Sequence, residues 1–185
     1  AKLRYQNALF GVDAFTGGLV YNDNHNFNQS HLDTDAFSGL YFNFVNIPGV
    51  TAKNIVEAYY YNRDVDRDSA TEDWSGIAAP FRNPAVQDLD VVGLRLKSKP
   101  GAYGPWDFGI ELMHQFGDRA LTGPAAIPAT VAGAALSEQD AYAAVLQLGH
   151  TWTESALQPR LAFIYSYASG DGDAGDGTSE TFQNL

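Results

Sequence analysis

The sequence contains no cysteine, so neither a disulfide nor a thiolate metal site can form. It has no uninterrupted apolar run near the ~20 residues that a membrane-spanning helix needs, which excludes a helical membrane protein. Basic residues are scarce, with 11 Lys and Arg against 22 Asp and Glu, and the net charge of -11 argues against a nucleic-acid partner. Since a Gly-x-Ser-x-Gly motif, a P-loop and a CxxC motif are all missing, we predict that the chain is not an enzyme.

The chain instead shows regular alternation of apolar and polar residues. From Trp106 to Phe116, residues of one parity are almost all apolar, and those of the other are mostly polar, acidic or glycine. A period of two predicts a strand whose two faces meet different environments, because a helix would repeat its apolar face every 3.6 residues. This run is long for a soluble strand but suits a tilted strand that crosses a bilayer.

Similar alternation predicts about seven strands. They cover residues 4–15, 36–46, 53–63, 88–98, 106–116, 139–152 and 157–168. The segments between them are alternately long (16–35, 64–87, 117–138 and 169–185) and short (47–52, 99–105 and 153–156). Outer-membrane barrels show this asymmetry, with long extracellular loops and short periplasmic turns. We therefore predict an all-β fold, an antiparallel up-and-down transmembrane β-barrel.

Aromatic residues are abundant, with 10 Tyr, 11 Phe and 3 Trp. Trp106 and Trp152 lie beside short turns, whereas Tyr142, Tyr167 and Phe116 lie near the long-loop ends of their strands. This distribution resembles the two aromatic girdles of a membrane barrel, whose rings prefer the headgroup layer. The alternative is that these rings pack a soluble core.

An odd number of strands would leave edges unpaired, and each unpaired backbone group in lipid costs several kcal/mol. Single-chain bacterial barrels use an even number of strands, from eight upward. The chain begins without a signal peptide and ends in a Gly/Asp-rich segment that closes no strand. We therefore expect residues 1–185 to be part of a single outer-membrane β-barrel domain, truncated at both ends.

The last part of the chain, from Tyr165 to Leu185, has the most specific pattern. A strand ends in Ala-Ser-Gly-Asp at 168–171, an Asp/Gly-rich loop follows, and Glu-Thr-Phe comes at 180–182. This pattern resembles the alginate-export family of outer-membrane porins, and residues 62–67, 97–100 and 104–109 add looser support. The resemblance implies an eighteen-stranded monomeric barrel, of which this chain would supply less than half.

The resemblance also implies a role for charges that face inward. The best-described relative exports alginate, a polyuronate, through a lumen lined with basic residues, and the matching residues here are Arg63, Arg95, Lys97 and Arg160. A polyanion in a low-dielectric pore needs fixed positive charge, and guanidinium groups pair with carboxylates in bidentate fashion. Acidic neighbours, Glu57 and Glu111, would keep the basic residues ordered and prevent tight trapping. The alternative is that these six residues are ordinary lumen ion pairs that stabilise the barrel.

The Asp/Gly-rich loop is a candidate calcium site, with Asp171, Asp173 and Asp176 as its ligands. Ca²⁺ takes six to eight oxygen ligands, which carboxylates alternating with glycine turns can supply. The loop departs from the EF-hand pattern, since Phe182 stands where a bidentate Glu belongs. The alternative is a flexible acidic turn, and we expect no other cofactor.

The leading functional hypothesis is a passive channel in the outer membrane of a Gram-negative bacterium. It would carry an anionic or polar solute, with a polyuronate such as alginate as one candidate. Its partners would be outer-membrane lipid, lipopolysaccharide and the solute or polysaccharide, and the barrel would be monomeric. A first alternative is a structural or adhesive barrel with cation-binding acidic loops and a plugged lumen. A second is a soluble β-sandwich that binds carbohydrate, which predicts solubility without detergent.

Overall fold

The computed structural model describes residues 1–21, 30–67, 85–120, 136–173 and 176–183. Their strands are β1 Lys2–Gln6, β2 Phe10–Tyr21, β3 Ser30–Phe44, β4 Asn54–Arg67, β5 Ala85–Ser98, β6 Trp106–Ala120, β7 Leu136–Thr151, β8 Arg160–Ala168 and β9 Thr178–Ser179. Among the described residues, no helix is long and apolar enough to span a membrane.

All the strands belong to one sheet. Strands β1 to β8 follow one another across it in chain order, and each neighbouring pair is antiparallel. The short β9 lies off this path and pairs in parallel with β7. Within the described ranges β1 and β8 do not pair with each other, so the sheet is open. This arrangement confirms the predicted all-β, antiparallel up-and-down fold and is that of part of a barrel.

The two faces of the sheet differ sharply in chemistry. One face, here called the outward face, exposes large apolar side chains that are 44% to 66% accessible: Leu94, Leu112, Leu146, Leu148, Phe163 and Tyr165. The opposite, inward face carries buried polar residues, including Glu57, Gln115 and Gln139, together with buried apolar ones such as Leu89 and Val91. A soluble protein hides its large apolar side chains and exposes its polar ones. An apolar surface of this extent therefore needs another apolar phase against it.

The first predicted strand, 4–15, is wrong, because the chain reverses inside it. The side-chain oxygen of Asn7 accepts hydrogen bonds from the backbone N–H groups of Leu9 (2.8 Å) and Phe10 (2.9 Å). This local capping closes a tight turn between β1 and β2. The reversal also explains the broken parity of the segment. Arg4 pairs with Asp13 in the register of β1 and β2 and lies on the inward face.

Most of the other predicted strands are present but too short at their long-loop ends. β2 extends to Tyr21 and β4 to Arg67, while β3 begins at Ser30 and β5 at Ala85. β8 differs at its other end and starts at Arg160. The short connections 7–9, 45–53, 99–105 and 152–159 all leave the same edge of the sheet, which is here called the short-turn end. The opposite edge is the long-loop end.

Aromatic side chains gather on the outward face near both ends. At the short-turn end, His150 lies between Trp106 and Trp152, with ring centroids 4.5 Å and 4.6 Å away. Towards the long-loop end, His114 stacks on Tyr142 at 4.5 Å. Amphipathic rings at two levels of an apolar surface suit the two headgroup layers of a bilayer.

Glycine on the inward face makes room for neighbouring aromatic rings. A Cβ at Gly93 would overlap the ring of Tyr59, which lies across β5. By contrast, a Cβ at Gly109, on the same face of β6, would meet its nearest neighbour, Cβ of Gln147, at an ordinary 3.7 Å. Only the first glycine is therefore required by packing.

We predict that Gly93→Ala destabilises the protein and that Gly109→Ala does not. The methyl group at position 93 must displace the Tyr59 ring, and such overpacking costs about 1–3 kcal/mol. Urea unfolding in detergent micelles, followed by tryptophan fluorescence, measures the difference. Equal unfolding midpoints for the two variants would contradict the packing described for Tyr59.

Candidate functional site

The inward face carries a row of charged residues across its central strands. Glu57, Arg95 and Glu111 stand opposite one another on β4, β5 and β6. Arg95 donates from Nε to Oε2 of Glu57 at 2.6 Å, and its Nη2 lies 2.5 Å from the same oxygen. Alternating signs on adjacent strands stabilise the sheet and place fixed charge at mid-height on the inward face.

Tyrosine hydroxyls form further hydrogen bonds with the charged residues of this row. Nη2 of Arg95 also donates to the hydroxyl oxygen of Tyr41 at 2.9 Å. The hydroxyl of Tyr59 donates to Oε1 of Glu111 at 2.6 Å. The Glu57 side chain is 10% exposed and that of Arg95 is 34% exposed. The guanidinium therefore keeps contact with the space in front of the sheet while its orientation is fixed.

The other two central cations, Lys97 and Arg63, lie on opposite sides of this row along the strand direction. Lys97 is one row closer to the short-turn end, in register with Gly109, and no carboxylate in the described part of the chain lies within ion-pair distance of it. Arg63 is closer to the long-loop end, in register with Phe37 and Leu89. Both residues have the parity of Arg95 and so lie on the inward face.

Arg160 lies at the short-turn end of the inward face, away from the central row. Its Nε and Nη2 donate to the two carboxylate oxygens of Asp107 at 3.1 Å and 2.7 Å. The pair passes over Gly149, where a Cβ would lie 2.5 Å from Nη2 of Arg160. The structure thus puts all six predicted charged residues on one face, but it brings together only Glu57, Arg95 and Glu111.

A further ion pair was not foreseen because the first strand was wrongly predicted. Arg4 donates to both carboxylate oxygens of Asp13 at 2.6 Å and 2.7 Å, and Lys2 lies 3.4 Å from the same carboxylate. Asp13 stands opposite Tyr41 in the register of β2 and β3. The alternating parity of β1, once the turn at Asn7 is recognised, would have revealed this pair.

Aromatic residues form a second inward feature, one that the sequence pattern does not predict. Tyr41, Tyr59 and Tyr61 adjoin one another, with ring centroids 6.3 Å and 4.8 Å apart. Phe15 and Phe37 contact Tyr61 at 5.9 Å and 5.7 Å. The parity of β3 and β4 places Tyr41, Tyr59 and Tyr61 inward, but the contacts between the rings depend on register and could not be deduced.

The segment that follows β8 folds back over the inward face. Ser179 lies beside Gln139 where β9 pairs with β7, and Ser137 Oγ donates to the carbonyl of Gly177 at 3.0 Å. The hydroxyl of Ser169 donates to the carbonyl of Glu180 at 2.6 Å. Residues 176–183, here called the inward segment, therefore pair with the edge of β7 at residues 178–179 and then lie against inward side chains of β6 and β7 at residues 181–183.

Two buried glutamines hold the inward segment. Gln115 is 0% exposed, accepts from the backbone N–H of Gln183 at 2.9 Å and donates to its carbonyl at 3.1 Å. Gln139, which is 1% exposed, donates to the carbonyl of Thr181 at 2.7 Å and to Oε1 of Gln115 at 3.3 Å. Buried polar groups are costly unless they are paired, so these amides fix the position of the segment.

The candidate calcium ligands take part in backbone turns. Oδ1 of Asp171 accepts from the N–H of Asp173 at 3.0 Å, and Oδ1 of Asp176 accepts from the N–H of Thr178 at 2.8 Å. Within the described ranges, no group of three or more His, Asp or Glu side chains is arranged to hold a metal ion. Calcium binding by Asp171, Asp173 and Asp176 stays a prediction.

Comparison with known proteins gives one family. The sequence model of a family described as "Alginate export" matches residues 4–185. A search among curated proteins finds no match to the chain. The family match covers every strand from β2 to β9 and all the predicted site residues.

We predict that replacing both Gln115 and Gln139 by Leu releases the inward segment. Each buried backbone group that loses its partner costs about 1–3 kcal/mol, so opening should become at least about tenfold more frequent. Because the chain has no cysteine, Ser179→Cys alone can report the opening through its rate of reaction with a water-soluble maleimide.

The matched control is Gln147→Leu, which lies on the same face of β7 but in register with Gly109, away from the segment. Labelling of the Ser179→Cys site should be as slow in this background as in the otherwise unchanged chain. Slow labelling in the double Leu variant would show that the glutamines do not hold the segment.

Proposed function

The chain belongs to the alginate-export family of outer-membrane β-barrels, and from this membership we propose that it lines a passive channel for an anionic or polar solute. The polysaccharide named by the family is the first candidate substrate. The barrel would be a monomer in the outer membrane of a Gram-negative bacterium, with lipid and lipopolysaccharide against its outward face.

The observation that carries this proposal is that large apolar side chains are exposed on one face while polar side chains are buried on the other, the opposite of what a soluble protein shows. Leu94 and Leu112 are 52% and 53% exposed on the outward face, whereas Glu57 and Gln115 are buried on the inward face. Hydrocarbon would cover the outward side chains, and a closed barrel would turn the inward face into a polar lumen. This arrangement also favours transport over the soluble β-sandwich alternative, which offers no cover for these side chains.

The inward cations would set the charge preference of the lumen. Glu57 and Tyr41 hold the guanidinium of Arg95 in one orientation. Its positive charge therefore stays at a fixed position on the lumen wall. Lys97, which has no carboxylate within ion-pair distance in the described part of the chain, adds positive charge one row away. Arg63 and Arg160 extend the basic positions towards the two ends. Fixed charge in a narrow, low-dielectric passage acts strongly on ions.

A second candidate function, a plugged structural barrel, draws support from the inward segment. Residues 181–183 of this segment lie against the inward face, where Gln115 and Gln139 bond to the backbone of Thr181 and Gln183. A segment in this position narrows whatever lumen the face encloses. Single-channel conductance separates the two functions. Steps of current in planar bilayers support a channel, and a silent bilayer that conducts only after the segment is released supports a plug.

We predict opposite changes of ion selectivity when the two members of the central ion pair are neutralised. Arg95→Gln removes a positive charge from the lumen and should shift the reversal potential in a salt gradient towards cation preference. Glu57→Gln should shift it towards anions, and the double variant should resemble the unchanged protein. Lys97→Gln should act in the same direction as Arg95→Gln without leaving Glu57 unpaired.

Asp140→Asn is the matched control, because Asp140 lies on the outward face beside His114. It changes the net charge by the same amount as Glu57→Gln but outside the lumen. If neither Arg95→Gln nor Lys97→Gln moves the reversal potential more than Asp140→Asn does, these cations lie outside the permeation pathway.

A further inference from the structure

We propose that the inward aromatic residues Phe15, Phe37, Tyr41, Tyr59 and Tyr61 form a track on which the sugar rings of an acidic saccharide stack while it passes through the lumen. The inference rests on the proposed channel function and deepens it by assigning a binding surface for the substrate. The five residues are here called the aromatic track.

The first support is the direction in which the rings follow one another. Phe37 is in register with Arg63, Tyr61 with Gly39, and Tyr59 with Tyr41, so successive rows step along the strands. A strand advances about 3.4 Å per residue, and the four residues from Phe37 to Tyr41 therefore carry the track over roughly 14 Å. The track runs along the transport direction, from the long-loop side to the central charged row.

The second support is that glycines on the neighbouring strands let the rings pack directly against the backbone. Tyr59 lies across Gly93, and a Cβ at Gly39 would lie 2.5 Å from Cδ1 of Tyr61 and 2.9 Å from Cζ of Phe15. These glycines let the rings pack close to the backbone. The large side chains therefore cover the wall with aromatic surface and take less of the space in front of it.

The third support is that the track remains open on its inner side. Phe15, Phe37, Tyr41 and Tyr61 are partly exposed, whereas Tyr59 is 9% exposed. Concave spaces adjoin both ends of the track. One of about 320 Å³ is lined by Phe15, Gly17 and Phe37, and one of about 190 Å³ is lined by Tyr41, Asp13 and Asn43.

The polar atoms along the track are suited to a carboxylate-bearing sugar. The hydroxyl of Tyr59 donates to Glu111, and that of Tyr41 accepts from Arg95. Arg63 flanks the track at one end, and Arg95 and Lys97 flank it at the other. The C–H face of a pyranose would meet the rings, and its carboxylate would meet these cations.

This chemistry selects a saccharide with acidic groups over a small inorganic anion. An inorganic anion has no apolar face and gains nothing from aromatic rings, while a neutral apolar solute gains nothing from Arg95 and Lys97. A uronate ring presents both an apolar face and a negative charge. Binding through many weak, equivalent contacts also lets a chain move from row to row, as conduction requires.

The test compares Tyr61→Leu with Tyr60→Leu. Leucine at position 61 still covers Gly39 but offers no aromatic face, and Tyr60 is the adjacent residue on the outward face, where its hydroxyl donates to Asp90 at 2.6 Å. The probe is a hexauronate prepared from alginate, added to the protein in planar bilayers. We expect Tyr61→Leu to shorten the time for which each molecule blocks the current by about three- to tenfold, and Tyr60→Leu to leave that time unchanged.

Blocking times that are equal in Tyr61→Leu and in the unchanged protein would overturn the track while leaving the channel intact. The same holds if the unchanged protein conducts ions but the hexauronate never blocks it. If no current flows at all, the channel function fails, and calorimetric titration of the hexauronate in detergent still tests the track. Weaker binding to Tyr61→Leu than to Tyr60→Leu then supports it, and equal or absent binding overturns it.

Discussion

The pairing of each strand's backbone with its neighbours is the constraint on which every other feature of this protein depends. Hydrocarbon offers no hydrogen-bond partner to a peptide group, so an outer-membrane strand must satisfy its N–H and C=O groups within the sheet. Pairing fixes register, and register assigns each side chain to one face. A slip of one residue would send Arg95 or Glu111 towards lipid and bring Leu94 or Leu112 into the lumen. The facing of the charges therefore follows from the backbone.

On the inward face, the charged row and the aromatic rings form one connected network. Tyr59 contacts Tyr41 and Tyr61 through its ring and Glu111 through its hydroxyl, and Tyr41 in turn accepts from Arg95. Charges in a partly buried wall are stabilised only when their hydrogen bonds are satisfied. The tyrosines supply those bonds and leave aromatic surface exposed, so the same residues serve both the stability of the wall and the chemistry offered to a solute.

The period of two was enough to predict most of the strands and the inward parity of Arg95, Lys97 and Glu111, and the alternation of long and short connections predicted the up-and-down order. It failed at Asn7, because a side-chain amide closed the turn without the glycine or proline that usually marks a reversal. Parity could not foresee the inward segment, since its hydrogen bonds join Gln115 to Gln183, residues 68 positions apart. Ring contacts across strands, such as that between Tyr41 and Tyr59, likewise depend on register, and register is not visible in a single sequence.

The most direct test of the central claim is the environment of alternate residues along β6. Since the chain has no native cysteine, single cysteines at positions 109 to 114 can each carry a nitroxide label in bilayers. Collision rates with oxygen and with a water-soluble nickel complex then report lipid and water. Labels at 110 and 112 should collide mainly with oxygen, and labels at 109 and 111 should collide mainly with the nickel complex, so that both rates alternate with a period of two. Equal access to the nickel complex at both parities would contradict an outward face against lipid and an inward face on a polar lumen.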